Sequence, residues 1–361
     1  MHRILLLGAG KIGRAIAKLL GNSGDFDVLV GDVDEKALER VKGVPHVSVR
    51  RVDVSSHDAL VQAMAGRQSV ISACSFAVNP GIARAALQTG LSYFDLTEDV
   101  ATTRAVSEVA KQAKPGQIFM PQCGLAPGFI SIAGHHLTKG FDKLDEVKLR
   151  VGALSQFPTG ELKYNLTWST DGLINEYCNP CEVIHEGRRI EVLPLEGLEH
   201  FSLDGIDYEA FNTSGGVGSL WETLNGKVRN LDYKTIRYRG HRDLIAFLVN
   251  ELRLGERRHI LKDIMEHAVP MTLQDVVLIF VTVTGWKGGY LTQVTDARKV
   301  YHAELFGEGW SGIQITTAAG ICTALDLHRA GKLPGQGLVR QEQIDLDVFL
   351  ANRFGRHYVT A

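Results

Sequence analysis

The chain predicts an α/β protein: a doubly wound parallel sheet interrupted by an inserted α+β domain built on a mostly antiparallel sheet. Three features of the sequence lead there. Short apolar runs alternate with helical periodicities from residue 1 to residue 122, the rhythm of a parallel sheet with helical crossovers. From Asp145 onward polar and apolar residues alternate instead, as they do in strands with one wetted face. Near the end, the small residues from Thr316 to Leu325 read as a tightly packing helix that returns to the first domain. The first domain is therefore expected over residues 1–122 plus 312–361, and the inserted one over 123–311.

The first strand, Arg3 to Leu7, stops at Gly8-Ala9-Gly10-Lys11-Ile12-Gly13, which reads G-x-G-x-x-G. Ile12, Ala15, Ile16, Leu19 and Leu20 then recur at helical spacing, so the helix has one apolar face to lay on the sheet. Val28-Leu29-Val30 makes the second strand, and Asp32 stands just past its end, where dinucleotide-binding turns place an acid. Gly8 permits the tight turn, Gly10 lets the backbone approach a pyrophosphate, and Gly13 lets helix and strand pack closely. The N–H groups of Lys11, Ile12 and Gly13 would hold the phosphates. Asp32 would accept hydrogen bonds from both ribose hydroxyls and repel a 2′-phosphate. That favours NAD over NADP, with Arg50 and Arg51 lying further along. A Rossmann-type nucleotide domain is the expectation.

Further helices are expected at 35–41, at 59–64 behind a Ser55-Ser56-His57-Asp58 cap, at 79–89 and at 102–111; strands are expected near 47–52, 69–74, 93–96 and 117–121. In such a sheet the ligand lies beyond the carboxyl ends of the strands. Asp53, Cys74, Ser75, Asp95, Thr97 and Cys123 fall there with Asp32, where cofactor or substrate would be met, and Asp53, Cys74, Ser75 and Thr97 are the candidate cofactor contacts. The plainer reading of Asp53 and Thr97 is a turn former or helix cap.

In the inserted domain strands are expected at 146–151, 162–168, 182–185, 189–192, 208–211 and 276–284, with a capped helix from Ser169 and another over 241–252. The apolar run Val276 to Thr284 suggests a sheet buried on both faces, and with it a partner subunit and a homodimer. A formal net charge of -2 offers no large basic surface, which argues against nucleic acid. No apolar run approaches the length of a membrane span, and Met1-His2-Arg3 leads straight into a strand, so the expected compartment is the cytoplasm. Cys178-Asn179-Pro180-Cys181 matches C-x-x-C but lacks a second ligand pair, so no metal is expected.

Taken in order, Gly8 to Gly13, Asp32, the run Cys123 to Phe129 (CGLAPGF), the run Trp168 to Tyr177 (WSTDGLINEY), Thr213-Ser214-Gly215-Gly216 and the run Lys234 to His241 (KTIRYRGH) resemble the saccharopine dehydrogenase-like reductases, most closely the lysine 6-dehydrogenases, over nearly the whole chain. The resemblance implies a nicotinamide enzyme that oxidises a primary amine carbon to an imine, after which water releases ammonia and an aldehyde. For L-lysine the product would be the 6-semialdehyde. Where that family carries proline and arginine, this chain has Thr170-Asp171. Either the substrate differs from lysine, or Arg237 takes over the carboxylate clamp.

From the residues themselves, hydride transfer from an amine or amino acid needs a group to take the ammonium proton and a charge partner for each end of the substrate. Arg237 is the candidate carboxylate clamp and His241 the proton carrier, with ordinary surface pairing as the plainer reading of both. Asp171 and Glu176 are candidates to hold the ammonium, Asp171 alternatively as a helix cap. Cys123 is a candidate nucleophile if a helix N-terminus stabilises its thiolate. Tyr238, Thr213 and Trp168 complete the expected substrate contacts, Trp168 with a core role as the alternative. Lys234 would serve as a base only if burial lowered its pKa. Two rivals remain: a saccharopine- or carboxynorspermidine-type reductase that joins an aldehyde to an amine, and a non-catalytic NAD-binding sensor.

Overall fold

The computed structural model describes residues 1–359. The chain divides into two compact units, one of Met1–Phe129 and Gln314–His357, the other of Ile130–Ile313 and the residues from Tyr358. Among the described residues no helix is long and apolar enough to cross a membrane.

In the first unit β1 (His2–Leu7) ends at Gly8, and α1 (Lys11–Gly21) follows the glycine turn. Gly8 has a φ of 94°, and a Cβ there would stand 2.7 Å from the Ala73 carbonyl oxygen; a Cβ on Gly13 would stand 1.9 Å from that of Gly8. Both positions are glycine because backbone passes too close for any side chain. The chain continues through β2 (Phe26–Asp32), α2 (Glu35–Glu39), β3 (Val47–Arg51), α3 (His57–Met64), β4 (Ser69–Ser72), α4 (Asn79–Thr89), β5 (Ser92–Asp95), α5 (Val100–Ala110) and β6 (Ile118–Met120). Helix starts are capped as their residue types predict: Asp34, Ser56 and Asp99 each accept a first-turn N–H. Leu5, Leu29, Val70 and Tyr93 of the strands pack with Ile82 and Ala86 of α4 and Val106 of α5.

After α6 (Phe129–Thr138) the second unit runs β7 (Lys143–Ser155), α7 (Thr170–Cys178), β8 (Cys181–His185), β9 (Arg188–Val192), β10 (Glu199–Leu203), β11 (Ile206–Asn212), α8 (Leu220–Leu224), β12 (Asn230–Tyr238), α9 (His241–Ala246), α10 (Arg258–Ala268), β13 (Asp275–Lys287) and β14 (Tyr290–Tyr301), then a small hairpin of β15 (Ala303–Leu305) and β16 (Glu308–Trp310). α11 (Gly312–Arg329), β17 (Gly337–Leu338) and α12 (Leu346–Ala351) complete the chain. The first sheet is parallel throughout, in the order β17-β6-β5-β4-β1-β2-β3. The second runs β10-β11-β12-β7-β13-β14, with β8 and β9 branching from β12; only β12 and β7 pair in parallel. The predicted α/β architecture with a mostly antiparallel second domain is the one observed.

One face of the second sheet packs Phe211 against Tyr164, Tyr177, Ile174, Ile245 and Leu261, the last three carried on α7, α9 and α10. The other face holds Tyr208, Ile236, Leu154 and Leu278. This sheet rolls up on itself: the ring of Phe201 on β10 stacks 6.1 Å from that of Phe280 on β13, although β11, β12 and β7 lie between them in the strand order. Lys299 of β14 likewise reaches Asp204, at the end of β10, with an N–O distance of 2.5 Å. The apolar run Val276 to Thr284 is thereby covered within a single chain and gives no argument for a partner subunit.

Three local expectations fail. Residues 162–168 form no strand; they are irregular apart from a bridge from Leu166 to Met271. Lys163 takes a positive φ of 49°, and Tyr164, Asn165, Leu166 and Thr167 are all buried, so the alternation does not mark a wetted face. The helix expected over 241–252 is α-helical only to Ala246 and continues as a π-type turn over Phe247–Glu251. β10, β12 and β14 were not anticipated; β12 is buried on both faces and its periodicity is masked.

Candidate functional site

In the first unit the carboxyl ends of β1, β2, β4 and β5 line one margin of the sheet. No side chain caps α1 at Gly10, and a Cβ on Gly10 would meet nothing within 4 Å. The space before the helix is open while Gly8 and Gly13 are closed off by backbone, so these residues fit the phosphates of a dinucleotide. Asp32 stands beside the turn. Its Oδ2 accepts the Ala9 N–H at 2.6 Å and its Oδ1 that of Asp34 at 2.9 Å, which aims the carboxylate. Arg51 is its register partner on β3.

The other strand-end candidates divide. Asp53 is exposed and committed to its own turn, its Oδ1 accepting the Ser55 N–H at 2.9 Å and hydroxyl at 2.6 Å. Those hydrogen bonds hold its carboxyl below the usual range. Cys74 is half-buried, and burial pushes its thiol up to about 11. Ser75 opens a short 3-10 turn at Phe76–Val78. Thr97 is buried as a splice: its N–H donates to Asp95 at 2.9 Å and its Oγ1 accepts the Asp99 N–H at 3.1 Å. Two further acids stand at this margin, Asp95 expected there from the sequence and Glu98 not. Asp95 is fully buried, accepts from the Tyr93 hydroxyl at 2.7 Å and the Gln122 N–H at 3.0 Å, and is raised by burial. Glu98, just beyond β5, is raised by burial to about 7, with Asp99 and Asp95 adding to the effect. Only its place after a strand end could have marked it.

Cys123 requires correction as a nucleophile. It is 1% exposed; its Sγ donates to the Met120 carbonyl at 3.0 Å and accepts from Gln341 Nε2 at 3.1 Å. Burial pushes the thiol well above its ordinary value, so it is a neutral core group.

The second unit gathers a different set around Arg237, which is 3% exposed on β12. Its Nε donates to the Tyr177 hydroxyl at 3.0 Å, and its Nη1 donates to Thr235 Oγ1 and to the Ile236 carbonyl, both at 2.8 Å. The guanidinium lies 5.0 Å from the Tyr164 ring centre and 5.8 Å from that of Tyr177. Burial opposes its charge, yet the neighbouring Tyr177, Tyr164 and Glu176 outweigh that and hold it protonated. The nearest carboxylate in register, Glu209 across on β11, spends its oxygens on the N–H groups of Gly240 and Arg242 at 2.9 and 2.6 Å. Among the described residues no carboxylate forms an ion pair with Arg237, and its Nη2 makes no hydrogen bond.

Two buried oxygens of this unit are unsatisfied. Asn165 Oδ1 and Thr213 Oγ1 have no hydrogen-bond partner, whereas the Tyr164 hydroxyl interacts with Thr167 and Trp168. Buried polar atoms are nearly always bonded, so these orphans mark room for a polar ligand or its water. Thr213 is a substrate contact expected from the sequence; Asn165 sits in the segment expected as a strand. Glu176 is buried on α7, whose backbone carbonyl at that position accepts the Ser214 N–H at 3.0 Å.

Four further candidates are corrected. His241 is fully buried between the Tyr177 hydroxyl at 3.0 Å and the Leu162 carbonyl at 2.9 Å. Burial, reinforced by the Arg237 charge, lowers its pKa to about 3, so it stays a neutral imidazole near neutral pH and takes up no second proton. Asp171 is exposed and pairs with Lys262 at 2.6 Å, while Ser169 caps α7 by accepting the Gly172 N–H at 3.2 Å. Tyr238 lies on the sheet face opposite Arg237, as neighbours on a strand must; its hydroxyl donates to the Ser155 carbonyl at 2.8 Å and its ring stacks on Tyr208 at 5.6 Å. Lys234 is no free base: its ammonium donates to the Gly197 carbonyl at 2.6 Å and to Glu199 at 2.5 Å. Trp168 packs against the cluster around Tyr164 and Leu166. No group of side chains among the described residues is arranged to hold a metal.

Comparison with known proteins places these two sites in a family. The model described as saccharopine dehydrogenase NADP binding domain matches residues 4–120, and that described as saccharopine dehydrogenase C-terminal domain matches residues 124–354. The saccharopine dehydrogenase [NADP(+), L-glutamate-forming] of Saccharomyces cerevisiae is 26% identical over 274 residues, covering 68% of this chain and 57% of that protein. The match thus spans little more than half the length of that relative. The solved apo structure of saccharopine dehydrogenase (L-Glu forming) from Saccharomyces cerevisiae superposes with a TM-score of 0.77 at 17% identity, covering 97% of this chain and 96% of the other, a likeness of fold.

Proposed function

The chain belongs to the saccharopine dehydrogenase family, and from that premise we propose that it is a nicotinamide-dependent oxidoreductase acting on the C–N bond of an amino acid. The finer reading is NAD-dependent oxidation of a basic amino acid, L-lysine first, at its primary amine carbon, giving the 6-semialdehyde and ammonia. One observation carries it: Arg237 is a buried cation that no carboxylate contacts directly among the described residues, Glu176 acting on it only through its charge. A buried cation with no anion in direct contact gains from a ligand that supplies one. An α-carboxylate is the natural ligand for its free Nη2 edge. Tyr164 flanks the guanidinium, Thr213 has an unsatisfied buried hydroxyl, and Glu176, whose charge acts on Arg237, is the proposed anion for the substrate ammonium. The nicotinamide, when bound, accepts the hydride. The chain's own part there is to hold phosphates at the start of α1 and the ribose at Asp32.

Asp32 supports NAD, since its carboxylate would repel a 2′-phosphate. The matched nucleotide domain and the yeast relative carry NADP in their descriptions, and Arg51, opposite Asp32, is the residue a 2′-phosphate would use. Comparing kcat/KM for the two cofactors decides between them. The test of the activity itself is nicotinamide reduction with L-lysine, L-ornithine and diamines. Arg237→Met should raise KM for L-lysine at least tenfold with cofactor affinity unchanged; absence of any turnover across the panel rejects the reading.

A second reading is favoured by the yeast relative: oxidation of a secondary amine of saccharopine type, or its reverse. Product mass spectrometry separates the two, because one releases ammonia and the other yields or joins two amino-acid halves.

A further inference from the structure

We propose that Tyr177 and His241 form a positioning relay that aims the Arg237 guanidinium at a substrate carboxylate; this rests on the reading of Arg237 as the clamp. Every link has a forced polarity. The Leu162 carbonyl can only accept, so at 2.9 Å it is the His241 Nδ1 that carries the proton. Nε2 is then an acceptor, so the Tyr177 hydroxyl, 3.0 Å away, donates to it. The phenol oxygen in turn accepts from Arg237 Nε, a group that can only donate, at 3.0 Å. The line is anchored on a backbone carbonyl and ends on a cation.

Packing leaves the relay no freedom. The His241 ring is 5.2 Å from that of Tyr164, 6.0 Å from Tyr177 and 6.4 Å from Phe211, the last nearly parallel at 12°. Burial keeps the imidazole neutral, so the polarity does not reverse at working pH. With Nε on Tyr177 and Nη1 on Thr235 and Ile236, three of the five N–H donors of the guanidinium are spent inside the protein. The two on Nη2 remain. An arginine placed only for stability would be expected to pair with its cross-strand neighbour Glu209, which instead holds the amides of Gly240 and Arg242.

The experiment is titration calorimetry of the NAD-loaded protein with L-lysine, L-saccharopine and cadaverine, the last having lysine's two amines and no carboxylate. Wild type, Tyr177→Phe, His241→Phe and the double variant are compared, each checked for folding by its melt. Wild type should bind a carboxylated ligand more tightly than cadaverine. Tyr177→Phe should weaken that ligand about tenfold, a step near 1.4 kcal/mol, with cadaverine and NAD changed less than twofold and KM raised more than kcat is lowered. The double variant should be no worse than Tyr177→Phe alone, since both break one line. Equal loss for cadaverine, additive losses, or no loss overturns the relay. If a variant fails to fold, the imidazole nitrogen-15 spectrum of wild type decides: a proton on Nδ1 upholds the relay, and a proton on Nε2 overturns it. Wild type that binds none of the three overturns the clamp and the relay together, whereas wild type that binds but reduces no NAD overturns the oxidoreductase reading alone.

Discussion

His241 and Glu98 are shifted in ways that solution measurements can read. The folded protein holds His241 neutral down to about pH 3, while an unfolded chain protonates it below about 6.5. Between those values the unfolded state binds the extra proton, so stability is lost as pH falls through that window, at up to about 1.4 kcal/mol per unit from this one group. Thermal melts from pH 7 to pH 4 should therefore drop more steeply for wild type than for His241→Gln. Equal slopes would show that the imidazole is not buried neutral. Glu98 titrates near 7 because burial raises it, a value suited to general acid–base work. The pH–rate profile of Glu98→Gln should lack an ionisation near 7 that wild type shows. A profile identical to wild type would mean that the carboxyl does not sense the reaction. Residue types in the sequence did not foretell placement. Arg237 and Glu176 stood out in the sequence as charges, and the structure buries both. The burial that makes His241 neutral was not readable, because it depends on Leu162 and Tyr177, far off in sequence.

At the scale of elements the glycine turn makes a paired prediction. Gly13→Ala drives a methyl to 1.9 Å from a backbone oxygen and should cost several kcal/mol, on the order of the larger overpacking penalties. Gly10→Ala meets nothing within 4 Å, so its melting temperature should stay near wild type while dinucleotide affinity falls tenfold or more. Differential scanning fluorimetry with and without NAD measures both. Stability loss in Gly10→Ala, or intact binding, would deny the pyrophosphate that position. This turn, its helix and the acid at Asp32 were legible because local sterics dictate them. β12 was not. Its residues are buried on both faces, so it shows neither clean alternation nor a helical stripe, and the arginine it carries looked like part of a connecting segment.

For the whole molecule, the parallel order of the first sheet follows from strands and helices taking turns, which any reader of the sequence can count. The curl of the second sheet was out of reach, since it depends on Phe201 meeting Phe280, and no local pattern encodes a contact between distant strands. That curl has a consequence for the chain outside the native state. Sheet margins are templates for foreign strands, and here Lys299 and Asp204 draw β14 and the end of β10 together, which shields part of both rims. Loosening it with Phe201→Ala should leave far-ultraviolet circular dichroism near native yet bring earlier, thioflavin-positive clumping on mild heating. The aromatic stack would then act as a guard against amyloid-like self-association, a duty separate from any chemistry the protein performs.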